Sequence, residues 1–468
     1  GQAVTCDDFA QAMADANPGS ELAQRLEQFK RWYSQAGTPQ LRAEGSYDAA
    51  ARTYTLTLSQ SCAPTPGQAE KLPFVIPVQM GLLGQDGRAL TLRLQGEDQA
   101  AEGDSRLLVL SEPSHSFVFT DVDQEPVPSL LRGFSAPVVL QHSDSDAALL
   151  TLLAHDSDAF NRWEAGQRLA GRLILAAAAD IAGGSDPVWP ESFAAAARRV
   201  LFTAEQDPAY AADVLTLPTE ATLAEQMAVV DPDALHAARN GLRRFLAESL
   251  QSALLDHYQR LVPSGPYRPE PAAAGRRALR NLCLGYLAEI DSAESRGRAY
   301  AQFESADNMT DQFAALAVLA NAEGEEGQRA LDAFYTRWQG EALVLDKWLA
   351  VQAGSRRPDA LATVQRLVEH PAFDIRNPNK VYALLRGFGA NHVRFHAANG
   401  SGYRFLGEQI LRLDPINPQV AARLARCFDR WKRFDLGRQS HARVALEALR
   451  RQPGLSRDVG EIVARALA

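Results

Sequence analysis

Residues 29–39 have the sequence FKRWYSQAGTP and decide the fold, because the sequence before them favours helix and the sequence after them favours strand. An apolar stripe at helical spacing leads into this stretch and consists of Leu22, Leu26, Phe29 and Tyr33. Gly37 is expected to end a helix that starts again after Ser20, and Pro39 holds the residue before it extended. The stretch therefore predicts a joint, with Trp32 placed where two packed units meet.

The region after the joint alternates apolar and polar residues, which is typical of half-buried strands. The clearest alternation is that of Tyr54, Leu56 and Leu58 with Thr53, Thr55 and Thr57. Residues 74–83 predict a second strand, in which Pro77 indicates an edge or a bulge because it lacks an N–H donor. Several such short strands, among them residues 90–94 and 129–134, predict a small β-sandwich.

The remaining chain, from about Asp146 to Ala468, is rich in Ala, Leu, Arg and Glu at helical spacing. Its helices are expected to break at Gly183-Gly184-Ser185, Asp231-Pro232, residues 262–266, Gly324, His370-Pro371, Asn377-Pro378, Gly400 and Pro415. So many short helices do not easily form one compact bundle, so we expect them to stack into a curved solenoid. The fold class is thus mostly α with a β-sandwich domain, although no strict sequence repeat is visible.

Composition excludes several functions. A length of 468 residues suggests about three domains of ~150 residues each. The net charge of −9, without a basic stripe, argues against nucleic-acid binding. Four scattered cysteines without a C-x-x-C pair disfavour a disulfide scaffold and predict a cytoplasmic protein. The longest apolar run, residues 173–179, is far shorter than the ~20 residues that a membrane span needs.

Catalytic motifs are not apparent. A zinc peptidase places two histidines at i and i+4 on a helix with a glutamate between them. Only His392 and His396 have this spacing, and they enclose Val-Arg-Phe, whose Arg394 would repel a cation. We therefore predict no metal site and no cofactor in this chain, and the pair is interpreted as structural or solvated histidines.

Several motifs together resemble one known family. Residues 32–39 match a W-x-x-Q-x-G-x-P pattern that closes the catalytic domain of M1-family zinc aminopeptidases, in the branch of bacterial aminopeptidase N. Further matching segments recur in that family's order, and they are residues 1–9, 124–138, 160–165, 308–311, 346–348, 377–379, 400–403 and 417–420. The resemblance covers the whole chain.

This resemblance implies a domain order. Residues 1–36 would be the last helices of the thermolysin-like catalytic domain, residues 37–137 a β-sandwich, and residues 138–468 an α-helical superhelix. The start at Gly1, without an initiator methionine, also leads us to expect a fragment. The zinc ligands and the glutamate base would belong to a stretch that this chain does not contain.

The resemblance also implies a function. The parent enzyme would use zinc to remove N-terminal amino acids from peptides, and this part would enclose the active site without catalysing by itself. Its partner is expected to be the peptide substrate, reached through the missing catalytic domain, and the protein is expected to be a monomer that binds neither nucleic acid nor membrane.

Candidate binding residues follow Asn417 and Pro418, which predict a helix start with proline at its first position. Gln419 and Arg423 then lie four residues apart on one face. An arginine can bind a carboxylate through two hydrogen bonds, and a glutamine can bind a peptide backbone. The resemblance implies that both residues line the substrate channel, with Lys380 as a weaker candidate. An exposed, capped surface helix is the alternative.

Two further interpretations of the whole chain stay open. A β-sandwich joined to an α-solenoid could serve as a non-enzymatic adaptor that binds a protein. A degenerate paralogue could keep the architecture and lack the metal motif. An H-E-x-x-H helix upstream would distinguish the enzyme from both, since only the enzyme needs it.

Overall fold

The computed structural model describes residues 3–263 and 265–468, and these form two compact units that divide between Leu169 and Ala170. The predicted start of the first domain at Gly1 and Gln2, and Ser264 within a predicted break, lie outside the described residues. The predicted boundaries at residues 36 and 137 stay predictions. No helix among the described residues is long and apolar enough to cross a membrane.

The first unit begins with short helices. Helix α1 (Cys6–Ala16) starts with a capping box, in which Thr5 and Asp8 each accept from the other's backbone N–H. The single helix predicted from Ser20 to the joint is wrong, because three short helices occupy this segment: α2 (Glu21–Gln24), α3 (Leu26–Phe29) and α4 (Arg31–Ser34). Arg25 lies between α2 and α3, and its backbone angles of φ −121° and ψ 23° are outside helical geometry.

Trp32 fixes the joint to the β-sheets, as the sequence led us to expect. Its Nε1 donates to the Val75 carbonyl at 2.9 Å, and its ring centroid lies 4.5 Å from that of Phe74. Gly37 has φ +102°, and a Cβ there would lie 2.9 Å from Cys62 Sγ. Glycine is therefore required where the chain turns from helix to strand.

The predicted β-sandwich is confirmed as two open sheets. One sheet has the order β4-β6-β2-β1-β8 and the other β5-β3-β7. Apolar side chains of both sheets form one core, and the alternation predicted for β2 places Tyr54, Leu56 and Leu58 in it. The strands are β1 (Gln40–Asp48), β2 (Thr53–Ser61), β3 (Ile76–Leu83), β4 (Arg93–Leu94), β5 (Arg106–Leu110), β6 (Ser114–Thr120), β7 (Val127–Leu130) and β8 (Val139–His142).

Two strand predictions need correction. β3 is the central strand of its sheet rather than an edge, but Pro77 pairs only with β5, because β7 begins to pair at Met80. The Gln79 N–H donates to Ser135 Oγ rather than to β5, and the nitrogen of Pro77, two residues earlier, points to the same side of β3, where β7 does not yet pair. The strand predicted over residues 129–134 ends at Leu130, and a 3-10 turn follows at Arg132–Phe134. Gly133 in that turn has φ +61°, which β geometry cannot accommodate.

Arg132 and Asp156 form a buried ion pair in the first unit. Arg132 Nη2 donates to Asp156 Oδ1 at 2.8 Å, and their side chains are 5% and 0% exposed. Arg132 also donates to Ser129 Oγ, the Asp104 carbonyl and Ser105 Oγ. The pair ties the segment after β7 to the end of helix α5 (Asp146–His155).

His142, at the end of β8, should give the first unit a pH-dependent stability. Nδ1 lies 2.9 Å from the Ala43 carbonyl and Nε2 lies 3.1 Å from Asp144, so both ring nitrogens face acceptors and favour the imidazolium. Burial acts to lower the pKa of His142, but these two interactions outweigh it and hold the pKa above 6.5. This contribution is complete below the unfolded pKa and is lost as the pH rises through the folded pKa.

We therefore expect the wild-type protein to melt at a higher temperature than His142→Gln at about pH 6, and this difference to shrink towards about pH 9. Asp144 stays ionised over this range, since burial raises its pKa but His142 and Arg168 lower it further. Circular dichroism melts at several pH values measure the difference. The exposed His115→Gln is the control. A His142→Gln difference that does not change with pH would contradict this assignment.

The second unit consists of helices that pack mainly on their neighbours along the chain, which agrees with the predicted solenoid. Helix α6 (Ala159–Ala182) crosses the division between the units and ends at the predicted Gly183 break. The other helices are α7 (Glu191–Phe202), α8 (Pro208–Val214), α9 (Glu220–Ala224), α10 (Pro232–Ser249), α11 (Gln251–Arg260), α12 (Pro271–Leu287), α13 (Ala293–Ser305), α14 (Met309–Leu319), α15 (Glu325–Trp338), α16 (Ala342–Ala353), α17 (Ala360–Leu367), α18 (Pro378–Val381), α19 (Gly387–Gly389), α20 (His392–Phe395), α21 (Ser401–Leu413), α22 (Pro418–Ala425), α23 (Leu436–Arg450) and α24 (Arg457–Leu467).

Distant parts of the second unit also meet. The Val230 N–H donates to the Arg433 carbonyl at 2.8 Å, and the Arg433 guanidinium donates to the Met227 carbonyl at 2.6 Å. Asp233 and Arg438 form an ion pair next to this bridge. Contacts between residues some 200 positions apart hold the loop after α9 against the segment before α23.

Candidate functional site

Two adjoining cavities of about 660 Å³ each lie within the second unit. We call the first the polar cavity, since its wall includes Glu220, His236, Asn240, Glu289 and Arg356. We call the second the arginine cavity, since its wall includes Arg386, Arg423, Arg426, Arg430 and Arg433. Ala221, Ala390 and His392 line both cavities, so the two are neighbours that share these residues.

Charged and amide groups of the polar cavity satisfy one another. His236 Nδ1 lies 2.7 Å from Glu220 Oε1, and Asn240 Nδ2 donates to His236 Nε2 at 2.9 Å. Arg356 then donates to Asn240 Oδ1 at 3.2 Å and to Glu289 Oε1 at 2.9 Å. Burial acts to raise the pKa of Glu220, but His236 and nearby cations lower it overall. This wall is therefore a fixed, internally paired surface.

The arginine cavity carries an excess of positive charge. Its described wall contains five arginines and two carboxylates, Glu225 and Asp429. Glu225 pairs with Arg430 and Arg433, and Asp429 accepts from Arg426 at 3.2 Å. Burial lowers the pKa of both His392 and His396, so these histidines add no charge at neutral pH. The cavity therefore favours anions.

Arg423, predicted from the sequence, lines the arginine cavity. Its helix α22 begins as expected, with Pro418 in the first turn and Asn417 accepting from the Val420 N–H at 3.2 Å. Arg423 Nη1 donates to the Tyr382 hydroxyl at 3.1 Å. Gln419 is exposed one turn earlier on the same helix. The predicted roles of both residues in a substrate channel stay predictions.

Lys380, the third predicted residue, is buried at 6% exposure. Its Nζ lies 2.8 Å from Asp346 Oδ1 and donates to the Ala342 carbonyl at 2.9 Å. These contacts tie α18 to α16 and satisfy the ammonium group. The predicted role of Lys380 in the channel stays a prediction.

Most arginines of this cavity were not predicted from the sequence, although their spacing carries a signal. Arg423, Arg426, Arg430 and Arg433 follow at intervals of three, four and three residues, which is the spacing of one helical face. Arg386 and Glu225 have no such spacing. Tertiary contacts bring them to the arginine cavity from other segments of the chain.

The histidine pair does not provide a metal site. His396 Nδ1 lies 2.8 Å from the Tyr403 hydroxyl, and its ring stacks on Phe434 with centroids 3.9 Å apart. Within the part of the chain that the structure describes, no three His, Cys, Asp or Glu side chains could together hold a metal ion. These residues therefore do not fit zinc.

The fold and the cavities define a class of protein in which an immunoglobulin-like β domain is joined to an α-helical repeat domain. Residues 37–143 match a family described as a domain of unknown function, DUF3458, with an Ig-like fold. Residues 146–468 match the family described as DUF3458_C, with ARM repeats, and the chain belongs to this family.

Individual relatives are aminopeptidases. The chain is 39% identical over its whole length to aminopeptidase N of Escherichia coli and 40% identical to that of Caulobacter vibrioides, and it spans 53% and 52% of these proteins. It is also similar, with a TM-score of 0.77 and 29% identity, to Legionella pneumophila aminopeptidase A in complex with aspartic acid. That alignment covers 99% of this chain and 52% of the Legionella chain. The chain thus spans about half the length of these relatives, and the predicted resemblance to aminopeptidase N is confirmed.

Proposed function

We propose that this chain is part of a zinc aminopeptidase that removes N-terminal amino acids from peptides. The single observation that carries this proposal is the alignment of the whole chain with aminopeptidase N relatives at 37–40% identity. In this proposal the chain encloses the active site and shapes the path of the peptide, and it does not cleave peptides by itself.

The two adjoining cavities support a role in holding peptides. In the polar cavity, charged and amide groups of the wall are already fixed by neighbouring side chains. A preorganised wall loses little conformational entropy when a ligand binds. Arg423 and Gln419 would contact the peptide from α22, with Lys380 as the weaker candidate.

Zinc belongs to the parent protein in this proposal, in a part other than the residues described here. The partner is the peptide substrate, and the protein is a cytoplasmic monomer that binds neither nucleic acid nor membrane. The net charge of −9 supports the exclusion of nucleic acid.

The test compares this chain with the native protein that contains it. We expect the native protein to hold zinc and to cleave aminoacyl anilides, and the purified chain alone to do neither. Metal analysis by mass spectrometry and release of the anilide chromophore measure these properties. Zinc-dependent turnover by the chain alone would contradict its proposed inactivity. A native protein without zinc and without anilide cleavage would contradict the aminopeptidase proposal and support the adaptor interpretation.

A further inference from the structure

Two buried arginines on α12 have no carboxylate partner. Arg277 and Arg280 are each 8% exposed, and no ion pair joins either of them to another residue that the structure describes. Arg277 Nη1 donates to the Arg268 carbonyl at 2.9 Å. Arg280 Nη2 donates to the Tyr258 hydroxyl at 3.3 Å. The Nε atom of each arginine is buried without a hydrogen-bond partner among the described residues. Arginine is rarely buried unless it is paired, so each side chain keeps a buried donor that an acceptor could satisfy.

Tyrosine rings cover both guanidinium groups without using these donors. Arg277 Cζ lies 4.8 Å from the ring centroid of Tyr267, and Arg280 Cζ lies 4.6 Å from that of Tyr258. A ring over a guanidinium group offsets part of its positive charge. The N–H groups lie in the plane of the guanidinium group, however, so a ring above that plane leaves the Nε donors free.

Two carboxylates lie near enough to act on this cluster, but other donors hold them. Asp307 accepts from the Tyr267 N–H at 2.8 Å and from Asn308 Nδ2 at 3.0 Å. Asp311, which is 2% exposed, accepts from Asn281 Nδ2 at 2.9 Å and from Asn308 Nδ2 at 3.0 Å. Neither carboxylate forms an ion pair with the two arginines, so the described residues around these guanidinium groups supply them with no direct counter-charge.

We propose that Arg277 and Arg280 bind one small inorganic anion on the side of α12 that faces α11. The two residues are three positions apart, which places their Cβ atoms about 5–6 Å from each other on one helical face. An anion between them accepts from both Nε–H groups and supplies the negative charge, and such charge-assisted hydrogen bonds are stronger than neutral ones. Side chains that are 8% exposed leave room for a single ion rather than for an organic ligand.

This site is separate from the two cavities and from any binding of peptides, because neither Arg277 nor Arg280 lines a cavity wall. Its effect is on the stability of the second unit. A ligand that binds only the folded state raises the melting temperature, and the rise increases with ligand concentration. The anion is either monatomic, such as chloride, or an oxyanion, such as phosphate.

The experiment measures melting temperatures of the purified chain by differential scanning fluorimetry in sodium gluconate, sodium chloride and sodium phosphate, at one pH and one ionic strength. Gluconate is the reference, since it is too large for the site. We expect chloride or phosphate to raise the melting temperature by about 2–3 °C once it exceeds its dissociation constant about tenfold. The salt that gives the larger rise identifies the kind of anion.

Variants assign the rise to these residues. Arg277→Met and Arg280→Met should each abolish it. In gluconate both should melt at or above the wild-type temperature, because an apolar side chain replaces a buried charge that has no partner. The control is Arg276→Met, since Arg276 is exposed on the same helix and donates to the Arg260 carbonyl at 3.1 Å. This variant should keep the full rise.

A crystal structure of the wild-type chain grown in sodium bromide or sodium phosphate provides a second measurement that does not depend on how the variants fold. We expect an anomalous bromide peak, or phosphate density, within hydrogen-bond distance of both Nε atoms. Three results would overturn the proposal. They are equal wild-type melting temperatures in all three salts, a rise that survives in both methionine variants, and density for an ordered water alone at the Nε atoms.

Discussion

Replacing Asp156 with alanine should lower the free energy of unfolding of the first unit by about 3–5 kcal/mol. The substitution leaves the Arg132 guanidinium, only 5% exposed, without its 2.8 Å carboxylate partner. Only the partly exposed Asp104 carboxylate, 3.7 Å from Arg132, would then remain to offset the cost of burying the guanidinium charge. Differential scanning calorimetry and urea unfolding measure the loss.

The control for this prediction is Glu44→Ala, which removes an ion pair of Arg42 whose side chains are 64% and 59% exposed. Exposed pairs contribute about 0–1 kcal/mol. The double variant Arg132→Met/Asp156→Ala should lose less than the two single variants added together, since it leaves no unpaired charge. An Asp156→Ala loss no larger than that of Glu44→Ala would refute the argument.

Tyr403→Ala is expected to have a similarly large effect in the second unit, about 3–5 kcal/mol. Tyr403 is fully buried, and its ring lies 5.2 Å from that of Phe395 and 5.8 Å from that of Phe428. Alanine would leave a cavity between these rings and remove the hydrogen-bond partner of His396. Chemical denaturation followed by circular dichroism measures the change.

Tyr403→Phe separates the two contributions, because it keeps the ring and removes only the hydroxyl. We expect a loss of about 1–3 kcal/mol, the cost of leaving buried His396 without its partner. The matched control is Phe202→Ala, since Phe202 is 88% exposed and should change stability by less than about 0.5 kcal/mol. If Tyr403→Ala costs no more than Phe202→Ala, this aromatic cluster does not stabilise the unit.

Local pattern was sufficient for much of the fold. The alternation around Leu56 predicted a strand that is observed, and breaks at Gly183 and Asp231-Pro232 coincide with helix ends. These signals depend on residues a few positions apart, so tertiary structure is not needed to read them. The errors lie at Arg25, Pro77 and residues 131–134, where backbone conformation or pairing depends on a distant segment.

The candidate site was less predictable. Arg423 was found from its spacing and from a family resemblance, and the arginines that follow it at intervals of three and four residues could have been found by the same rule, although α22 ends at Ala425. Arg386 could not, because its place in the cavity depends on the π-helical turn Tyr382–Arg386 and on how α18–α22 pack. Sequence spacing carries no information about which helices meet.

The sequence by itself determined the order of β and α regions, the joint at residues 29–39 and the family to which the chain belongs, since these follow from local periodicity and shared motifs. Only the tertiary structure decided which charges are paired. It buries Arg132 against Asp156, closes the loop after α9 onto Arg433 and gives Arg386 and Arg423 no carboxylate partner among the described residues. Pairing depends on distances across the fold, and an electrostatic interaction falls with distance in space rather than along the chain.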